Sequence, residues 1–511
     1  MDQSELILTS KMLYRLIFLL CLVAAARADD AQSPKIIIVG AGPSGIAAAS
    51  KLLENGFNNV LILEAEDRIG GRVYTTPFDK YVVDLGAQWI HGEKDNAAYE
   101  LASPLNLTDH ASPDTLDHMK TYMSTGELID PAIMKNLTIF YLELMEDHAI
   151  MSSDECKRSI GKCYVHKLRE HFKKLPELND TMQDQFLWHY NLVQTGYDPA
   201  DNWTDIASDN SDEYRVSEGD QVINWKERGY GTILDILMKK FPNPEEELPV
   251  LNKTILNAEV SKVDYSNEDG TVKVTTSDGK EYTADYVIMT PSLGVLKEKY
   301  ETMFNPPLPE DKVRNIKGLG FGNACKIFLA FDDPWFNPQG VKNGGHSILW
   351  SVDELETLHT DPKTMWMVYA LGFYFVEHKP NLMYVWVSGE GARLMDDLTD
   401  EEVFQQTKTM LNNLLSKHFN VTEPKAMIRS KWHQNQHFRG TYSFRSLETV
   451  NTNSSAKQLS EPIMKNGKPV VLFGGEATHE HKFSTVHGAI STGWREAERI
   501  MNLHKKTNDE A

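Results

Sequence analysis

The chain is short of positive charge. Its 52 lysines and arginines stand against 73 acids, for a formal net charge of −21. That deficit excludes nucleic acid as a partner, since a phosphate backbone is bound through lysine and arginine. It points instead to cations, which a negative surface draws inward; taken by itself, the same acidity only aids solubility. Cysteine is scarce, with 4 in 511 residues, and no metal site is expected. Long apolar runs are missing too. After residue 28 none reaches the ~18 residues of a membrane helix, so no stable membrane anchor is expected. What remains, 41% hydrophobic and 10% aromatic residues, fits a globular protein with a large core.

A short apolar run opens the chain. Lys11 and Arg15 precede Leu16 to Ala26, and Ala26-Arg27-Ala28 is a small-x-small cleavage site. Residues 1–28 read as a secretory signal peptide, so the mature protein is expected to be extracellular. N-x-S/T sequons at Asn106, Asn136, Asn179, Asn202, Asn252, Asn420 and Asn453 agree with export as a glycoprotein. The last residues, Asn508-Asp509-Glu510-Ala511, form neither a peroxisomal nor an ER-retention signal. Cys21 leaves with the signal. Cys156 and Cys163 lie close together in a polar, loop-like stretch, and their spacing leaves a disulfide open. Cys325, in an apolar strand pattern, reads as a buried free thiol.

The richest segment is Lys35-Ile36-Ile37-Ile38-Val39-Gly40-Ala41-Gly42-Pro43-Ser44-Gly45. An aliphatic run of buried-strand type leads into G-x-G-x-x-G, and an Ala-rich helix follows. Gly40 permits the tight turn, Gly42 the approach of a pyrophosphate, and Gly45 close packing of helix on strand. Phosphates would sit at the helix N-terminus. A second strand, Val60 to Leu63, ends in Glu64, 19 residues after Gly45, near the spacing of about 20 for a carboxylate on ribose hydroxyls. Strand, turn, helix and acid together specify dinucleotide binding; the turn serving packing alone is the lesser reading.

Further strand patterns recur late in the chain. Glu259 to Asp264, Val272 to Ser277 and Tyr282 to Pro291 read as β, with turns at Asp269-Gly270 and Asp278-Gly279. Val470 to Phe473 is a buried strand ending at Gly474-Gly475-Glu476, and a helix follows over about 488–504. Between these blocks, 110–225 is polar and helical. Strand patterns at Lys326 to Phe331, Met365 to Leu371 and Leu382 to Val387, and a helix near Asp400 to His418, mark 319–435. Asp205 to Asp220 reads as an exposed loop. The organisation expected is a discontinuous Rossmann-like α/β domain (34–109, 226–318 and 436–505) with an interleaved α+β substrate-binding domain (110–225 and 319–435).

Several motifs then coincide: Arg68-Ile69-Gly70-Gly71-Arg72; Gly86-Ala87-Gln88-Trp89-Ile90-His91-Gly92; Asn323-Ala324-Cys325-Lys326-Ile327-Phe328; Trp432 before Gly440-Thr441-Tyr442-Ser443; and Gly474-Gly475-Glu476-Ala477-Thr478 before Ser484-Thr485-Val486-His487-Gly488-Ala489. Over about 34–503 the chain resembles the FAD-dependent amine oxidases, and within them the polyamine oxidase group of animals. The resemblance implies non-covalent FAD, because the cysteine-bearing attachment motif of the monoamine oxidases is missing. It implies that Gly40, Gly42, Ser44, Gly45 and Glu64 hold the ADP half and Arg72 the pyrophosphate. Gly86, Ala87, Gln88, Trp89 and Trp432 would flank the flavin, and Val260 would bond the adenine. Gly475 and Glu476 would meet the ribitol or pyrophosphate, and Thr485 and Val486 the flavin edge. Lys326 is implied to hold a water against flavin N5, and His91 to stand by the substrate amine. Tyr442, Ser484 and Thr485 would line the substrate tunnel, with Glu93, Glu213 and Glu218 as acids for distal ammonium groups.

The same resemblance implies oxidation of a secondary amine of spermine, spermidine or their acetylated forms. The imine would hydrolyse to an aminoaldehyde and an amine, and O2 would be reduced to hydrogen peroxide. A signal peptide is unusual for that animal group, which is mostly intracellular. Two alternatives stand beside this reading. A secreted L-amino acid oxidase needs an arginine for the substrate carboxylate, and no motif places one. A catalytically silent FAD-carrying protein would have no need of Lys326, His91 and Trp432.

Overall fold

Four aliphatic residues in a row, Ile36–Val39, present no polar face, and the strand they form (β1) is buried throughout. The computed structural model describes residues 33–509, apart from 113–114, 148–149, 151–152, 155 and 210–212; the signal-peptide reading lies outside them. β1 belongs to a six-stranded sheet ordered Ile463–Lys465, Lys468–Phe473, Tyr286–Met289, β1, Val60–Leu63 (β2) and Thr254–Ile255. Every neighbouring pair is parallel except the hairpin at the outer edge. The helix Pro43–Glu54 (α1) crosses from β1 to β2 and buries Ile46, Ala47, Ala48, Ala49 and Leu52 completely. Its small residues admit a second helix, Val486–Asp509, so closely that a Cβ on Gly493 would lie 2.1 Å from the Ser44 carbonyl oxygen.

A second six-stranded sheet runs Ala426–Arg429, Ala324–Ala330, Leu382–Ser388, Ala370–Phe375, Gly345–Leu349 and Met119–Met123. It is antiparallel except for its last pair. Helices Pro131–Glu146, Ile160–Phe172 and Asp180–Tyr197 form a separate apolar cluster beside it. The fold is therefore the α/β architecture expected, with a parallel dinucleotide-type sheet and an interleaved α+β part. All strands of the second sheet come from 110–225 and 319–435, and all strands of the first from the remaining stretches.

Four local readings are corrected. Tyr282 to Pro291 is not one strand. Glu281–Ala284 belongs to a four-stranded sheet with Val272–Thr276, Val260–Asp264 and Phe304–Asn305, and Tyr286–Met289 joins the parallel sheet. Asp285 marks the break, its carboxylate accepting the Lys35 backbone N–H at 2.8 Å. Met365–Tyr369 is a 3₁₀ turn because Met365 and Thr364 bond back to the Asp361 carbonyl; the strand starts at Ala370. Asp205 to Asp220 is not all exposed: Ile206, Ala207, Ser208 and Ser217 are buried, and the Ala207 N–H donates to the Arg445 carbonyl at 2.9 Å. Cys163 lies in a helix rather than a loop, and it is bonded to Cys156. Cys325 is a buried free thiol.

The disulfide spans a sequence separation of 7. Chain-entropy reasoning assigns a loop of that size about 2–3 kcal/mol. The double variant Cys156→Ser/Cys163→Ser should fold with a melting temperature a few degrees lower. Identical melting curves for the two proteins under oxidising conditions would show that the bridge adds nothing to the helical cluster.

Candidate active site

Lys326 sits at the third position of a strand whose every residue is buried. It is 4% exposed, and an ammonium there must be hydrogen-bonded to be tolerated. Three acceptors meet it, all from one segment: the carbonyls of Asp84 at 2.8 Å and Gly86 at 2.7 Å, and Oε1 of Gln88 at 2.8 Å. Burial still pulls its pKa down from the lysine range to about 7, with opposing help from Asp84 and Glu377. Its amine lies 5.4 Å from the Trp89 ring and 5.8 Å from the Trp386 ring. The Trp89 indole N–H donates to Glu377 at 3.0 Å, and Asn343 donates to the same oxygen at 3.0 Å. Behind Lys326 a small polar cavity is lined by Asp84, Gln88, Lys226, Glu377 and Lys379. Asp84, Glu377 and Lys379 were missed in the sequence, since no local motif marks them.

His91 lies on the loop that follows, and its Nδ1 faces the Gln221 carbonyl at 2.7 Å. A carbonyl can only accept, so Nδ1 carries the proton and Nε2 is the basic nitrogen. Burial lowers the pKa of this imidazole, and the Gln221 bond opposes the shift.

The end of helix Asp180–Tyr197 lies beside Tyr442 and Trp386. Tyr197, the last residue of that helix, exposes 60% of its surface. Tyr442 donates to the Gly196 carbonyl at 2.8 Å. Asp198 follows directly. Burial lifts its carboxyl to about 6, although Gln194 donates to it at 2.8 Å and Arg445 lowers it by charge. Its charge is felt by Tyr442 and Tyr214. Asp198 was missed in the sequence; only the turn-like Asp198-Pro199 beside a helix end marks it.

Of the acids proposed for the mouth, Glu93 and Glu218 lie side by side, the Glu93 N–H donating to the Glu218 carbonyl at 2.7 Å. Glu213 is paired with Arg445 at 2.5 Å, Glu218 pairs with Lys94 at 3.1 Å on the surface, and Glu93 lies 3.9 Å from His110. The hydroxyls of Ser484 and Thr485 are also committed to the backbone. Ser484 donates to the Ser443 carbonyl, and Thr485 donates to Lys482 O at 2.7 Å while accepting the Gly488 N–H at 3.0 Å, which starts the long helix. Trp432 donates to the Leu85 carbonyl at 3.3 Å.

Glu476 gathers three segments. It accepts Arg72 Nη1 at 2.8 Å, the Ser443 hydroxyl at 2.7 Å and the Ser484 N–H at 2.8 Å. Its carboxylate holds Arg72, which also donates to the Thr441 carbonyl at 2.5 Å. The hydroxyl of Ser44 accepts the Gly475 N–H at 3.0 Å. Val260 is buried in its strand opposite Thr276, Ala87 and Val486 pack against the core of the parallel sheet, and no metal-ligating cluster occurs among the described residues. Gly86 is needed for packing against protein: a Cβ there would lie 1.8 Å from the Arg72 carbonyl oxygen.

Comparison with known proteins agrees with this geometry. The family described as flavin containing amine oxidoreductase matches residues 43–501. The chain is 28% identical to the peroxisomal N(1)-acetyl-spermine/spermidine oxidase of Bos taurus, over 92% of this chain and 95% of that protein. It is 26% identical to probable polyamine oxidase 5 of Arabidopsis thaliana, over 93% and 99%. Among solved structures, a putrescine oxidase variant redesigned in cofactor binding aligns with a TM-score of 0.66 at 19% identity, covering 92% of this chain and 99% of its own.

The residues present fit FAD. No side chain caps the N-terminus of α1, and a Cβ on Gly42 would meet nothing within 4 Å. Open space thus lies where a pyrophosphate would use the unpaired N–H groups. Glu64 is 6% exposed and accepts the Ala41 N–H at 2.6 Å and the Glu66 N–H at 2.9 Å; each carboxylate oxygen keeps a lone pair for a ribose hydroxyl. No cysteine lies in the Gly474–Ala489 segment, so FAD binds without a covalent bond. Two glycines separate cofactor space from packing space. Gly45→Ala would place a Cβ 2.0 Å from the Gly40 carbonyl oxygen and should destabilise the apoprotein by about 1–3 kcal/mol or more. Gly42→Ala should melt as the wild-type apoprotein does yet lose FAD on gel filtration. Normal flavin content in Gly42→Ala would move the pyrophosphate elsewhere.

Proposed function

The chain belongs to the flavin-containing amine oxidoreductases, and on that premise we propose that it is a polyamine oxidase. Its substrate is a secondary amine of spermine, spermidine or an acetylated form. One observation carries the substrate class: a carboxylate, Asp198, directly after Tyr197 at a helix end whose Gly196 carbonyl holds Tyr442. Such a site takes a long cation, with rings along its methylenes and the acid on an ammonium. The relatives' names support the same reading, and the charge of −21 would speed the approach of a polycation.

When bound, FAD supplies the two-electron oxidation, accepting a hydride from the carbon beside the amine nitrogen and passing the electrons to O2, which becomes H2O2. The chain's own residues prepare that step. The amine must be neutral to give up a hydride. Burial in the protein disfavours its charged form by desolvation, and Nε2 of His91 is the base within the 91–92 loop able to take the proton. Lys326 presents an amine that changes charge near neutrality; its three N–H bonds are spent on Asp84, Gly86 and Gln88, so holding a water requires its neutral form or the exchange of one of those bonds. Water then hydrolyses the imine to an aminoaldehyde and a shorter amine. The apolar N-terminal run and the sequons support secretion, which sets this chain apart from relatives named as peroxisomal.

A peroxide-coupled assay over spermine, spermidine, their acetylated forms, leucine and phenylalanine tests the proposal. Turnover of the amino acids alone would replace it with an amino acid oxidase; no turnover by FAD-loaded protein would leave a silent carrier. Lys326→Met should retain FAD and slow flavin reduction or reoxidation at least about tenfold, some 1.4 kcal/mol of barrier. It should also flatten the pH–rate limb that Lys326 contributes near 7. Wild-type rates in both half-reactions would make Lys326 a structural residue.

Asp198→Asn should raise KM for spermine about tenfold or more, the value of a charge-assisted bond. The sign of the pH effect follows from the raised pKa. Asp198 is charged above about 6 and neutral below it. Wild-type KM should therefore climb as pH falls through that value, on top of the protonation of substrate amines, and the variant should lack that component. Parallel KM–pH curves for the two proteins would remove Asp198 from the binding site.

A further inference from the structure

An asparagine side chain offers an acceptor, Oδ1, and a donor, Nδ2. Many asparagines of this fold spend Nδ2 on protein oxygens, as Asn96, Asn315, Asn343 and Asn381 do. The sequon asparagines spend only Oδ1. That of Asn106 accepts from Lys226 at 3.2 Å, and that of Asn136 meets His171 Nε2 at 2.7 Å. Those of Asn179 and Asn202 accept the Met182 and Thr204 N–H groups, each at 2.9 Å. Among the described residues, the side chains of Asn252, Asn420 and Asn453 meet no partner. All of these asparagines are exposed except Asn202, which is half-buried. The nitrogen that a glycan takes is thus left unbonded at every sequon.

Two sequons stand beside apolar side chains that face water. Asn252 lies in the 3₁₀ turn Leu251–Lys253, which leads into Thr254–Ile255, the outermost strand at one edge of the parallel sheet. Leu251 is 39% exposed and Leu256 38%. A sheet edge flanked by leucines is a template for pairing with another chain, and folded proteins blunt such edges with charge or a cover. Asn136 stands on the outer face of helix Pro131–Glu146, whose inner face buries Leu137, Tyr141 and Leu144. Ile139 and Leu142, 43% and 36% exposed, share that outer face, Ile139 one turn beyond Asn136.

We propose that Asn252 and Asn136 carry N-linked glycans, which cover the sheet edge with its two leucines and the helix face with Ile139 and Leu142. The proposal goes beyond the oxidase reading and rests on the secretory one. A glycan is bulky and solubilising, and here its anchor point is part of each apolar patch. The transfer uses a lipid-diphosphate-linked oligosaccharide as co-reactant. Nδ2 bonds to the anomeric carbon of the first N-acetylglucosamine as the bond from that carbon to the diphosphate oxygen breaks. The lipid diphosphate leaves with the electron pair, the proton lost from Nδ2 passes to a base of the transferase, and nothing is oxidised. Oδ1 is untouched, so the contact of Asn136 with His171 persists. Asn202, half-buried where it caps the turn Trp203–Asp205, stays bare.

The test expresses the full chain in cells with a secretory pathway, once with its own residues 1–28 and once with another secretory signal in their place. Peptides of the purified protein are treated with peptide N-glycosidase in heavy-oxygen water, and mass spectrometry reads which asparagines become labelled aspartate. Asn136 and Asn252 should be labelled in most copies and Asn202 in few. Either of the first two found bare in a chain glycosylated elsewhere, or bare under both signals, overturns the proposal. Labelling under the foreign signal alone refutes export and the proposal with it, while the oxidase reading stands. Asn252→Gln should lose one mobility step in gel electrophoresis and aggregate at least about twofold faster on warming. Adding Leu251→Ser and Leu256→Ser should restore the wild-type rate, which a folding defect would not allow. Asn136→Gln should behave likewise, with rescue by Ile139→Ser and Leu142→Ser. Wild-type aggregation in both asparagine variants would overturn the covering role. A dimer of wild-type chains bare at Asn252, seen by light scattering, would give the edge to a second copy and overturn it too.

Discussion

A buried ammonium with three oxygen acceptors organises this molecule. Lys326 belongs to the antiparallel sheet, and all its partners belong to the 84–88 segment. The contact therefore joins the two halves of the fold through one side chain. Neither part is neutral to the other's absence. Without the lysine, two buried carbonyls and an amide oxygen lose their donor; without the segment, a charge is stranded in an apolar strand. Because the carbonyls come from backbone, their positions are set by local geometry, above all at Gly86, where any larger residue would strike Arg72.

The charges around Lys326 continue this logic. Asp84 is held by Thr75 and by the Tyr230 N–H at 3.0 Å, and burial raises its carboxyl. Glu377 fixes Trp89, and Lys379 donates to the Lys226 carbonyl at 3.1 Å. Two acids and two amines thus share one interior region, each pulled toward neutrality by burial and back toward charge by the others. Such groups titrate as a set rather than singly. A protein surface so rich in acid has an interior site that is balanced, which confines steering to the surface and recognition to individual residues.

The cofactor half was legible because its signals are local. Strand, glycine turn, helix and acid occupy Ile36 to Glu64, and two of the glycines have a local reason: Gly40 takes a φ of 102°, and the Cβ clash of Gly45 is with Gly40, five positions away. The parallel sheet and its interleaving followed from the same buried strand patterns. The substrate half was legible only in part. Lys326 stood out as a polar residue in an apolar run. Asp198, Glu377, Lys379 and Arg445 carry no such mark, since their meaning comes from partners far away in sequence. Glu213 meets Arg445 across 232 positions. Spacing cannot reveal that a carboxylate is already paired with an arginine, as Glu213 is with Arg445. The hydroxyls of Ser484 and Thr485 show the same blind spot: both lie in a recognisable motif, yet Ser484 is spent on the Ser443 carbonyl and Thr485 on the turn that begins the final helix.

This difference in legibility reflects a difference in physical task. Pyrophosphate and ribose are bound by backbone N–H groups and one acid, which a short stretch of chain can supply in fixed geometry. An amine that must slide, lose a proton and present one carbon needs a long recess whose walls come from several segments. Those walls are tied together by a few buried polar links, such as Tyr442 to Gly196 and Arg445 to Glu213. Each link fixes the wall and also decides which donors and acceptors remain for a ligand.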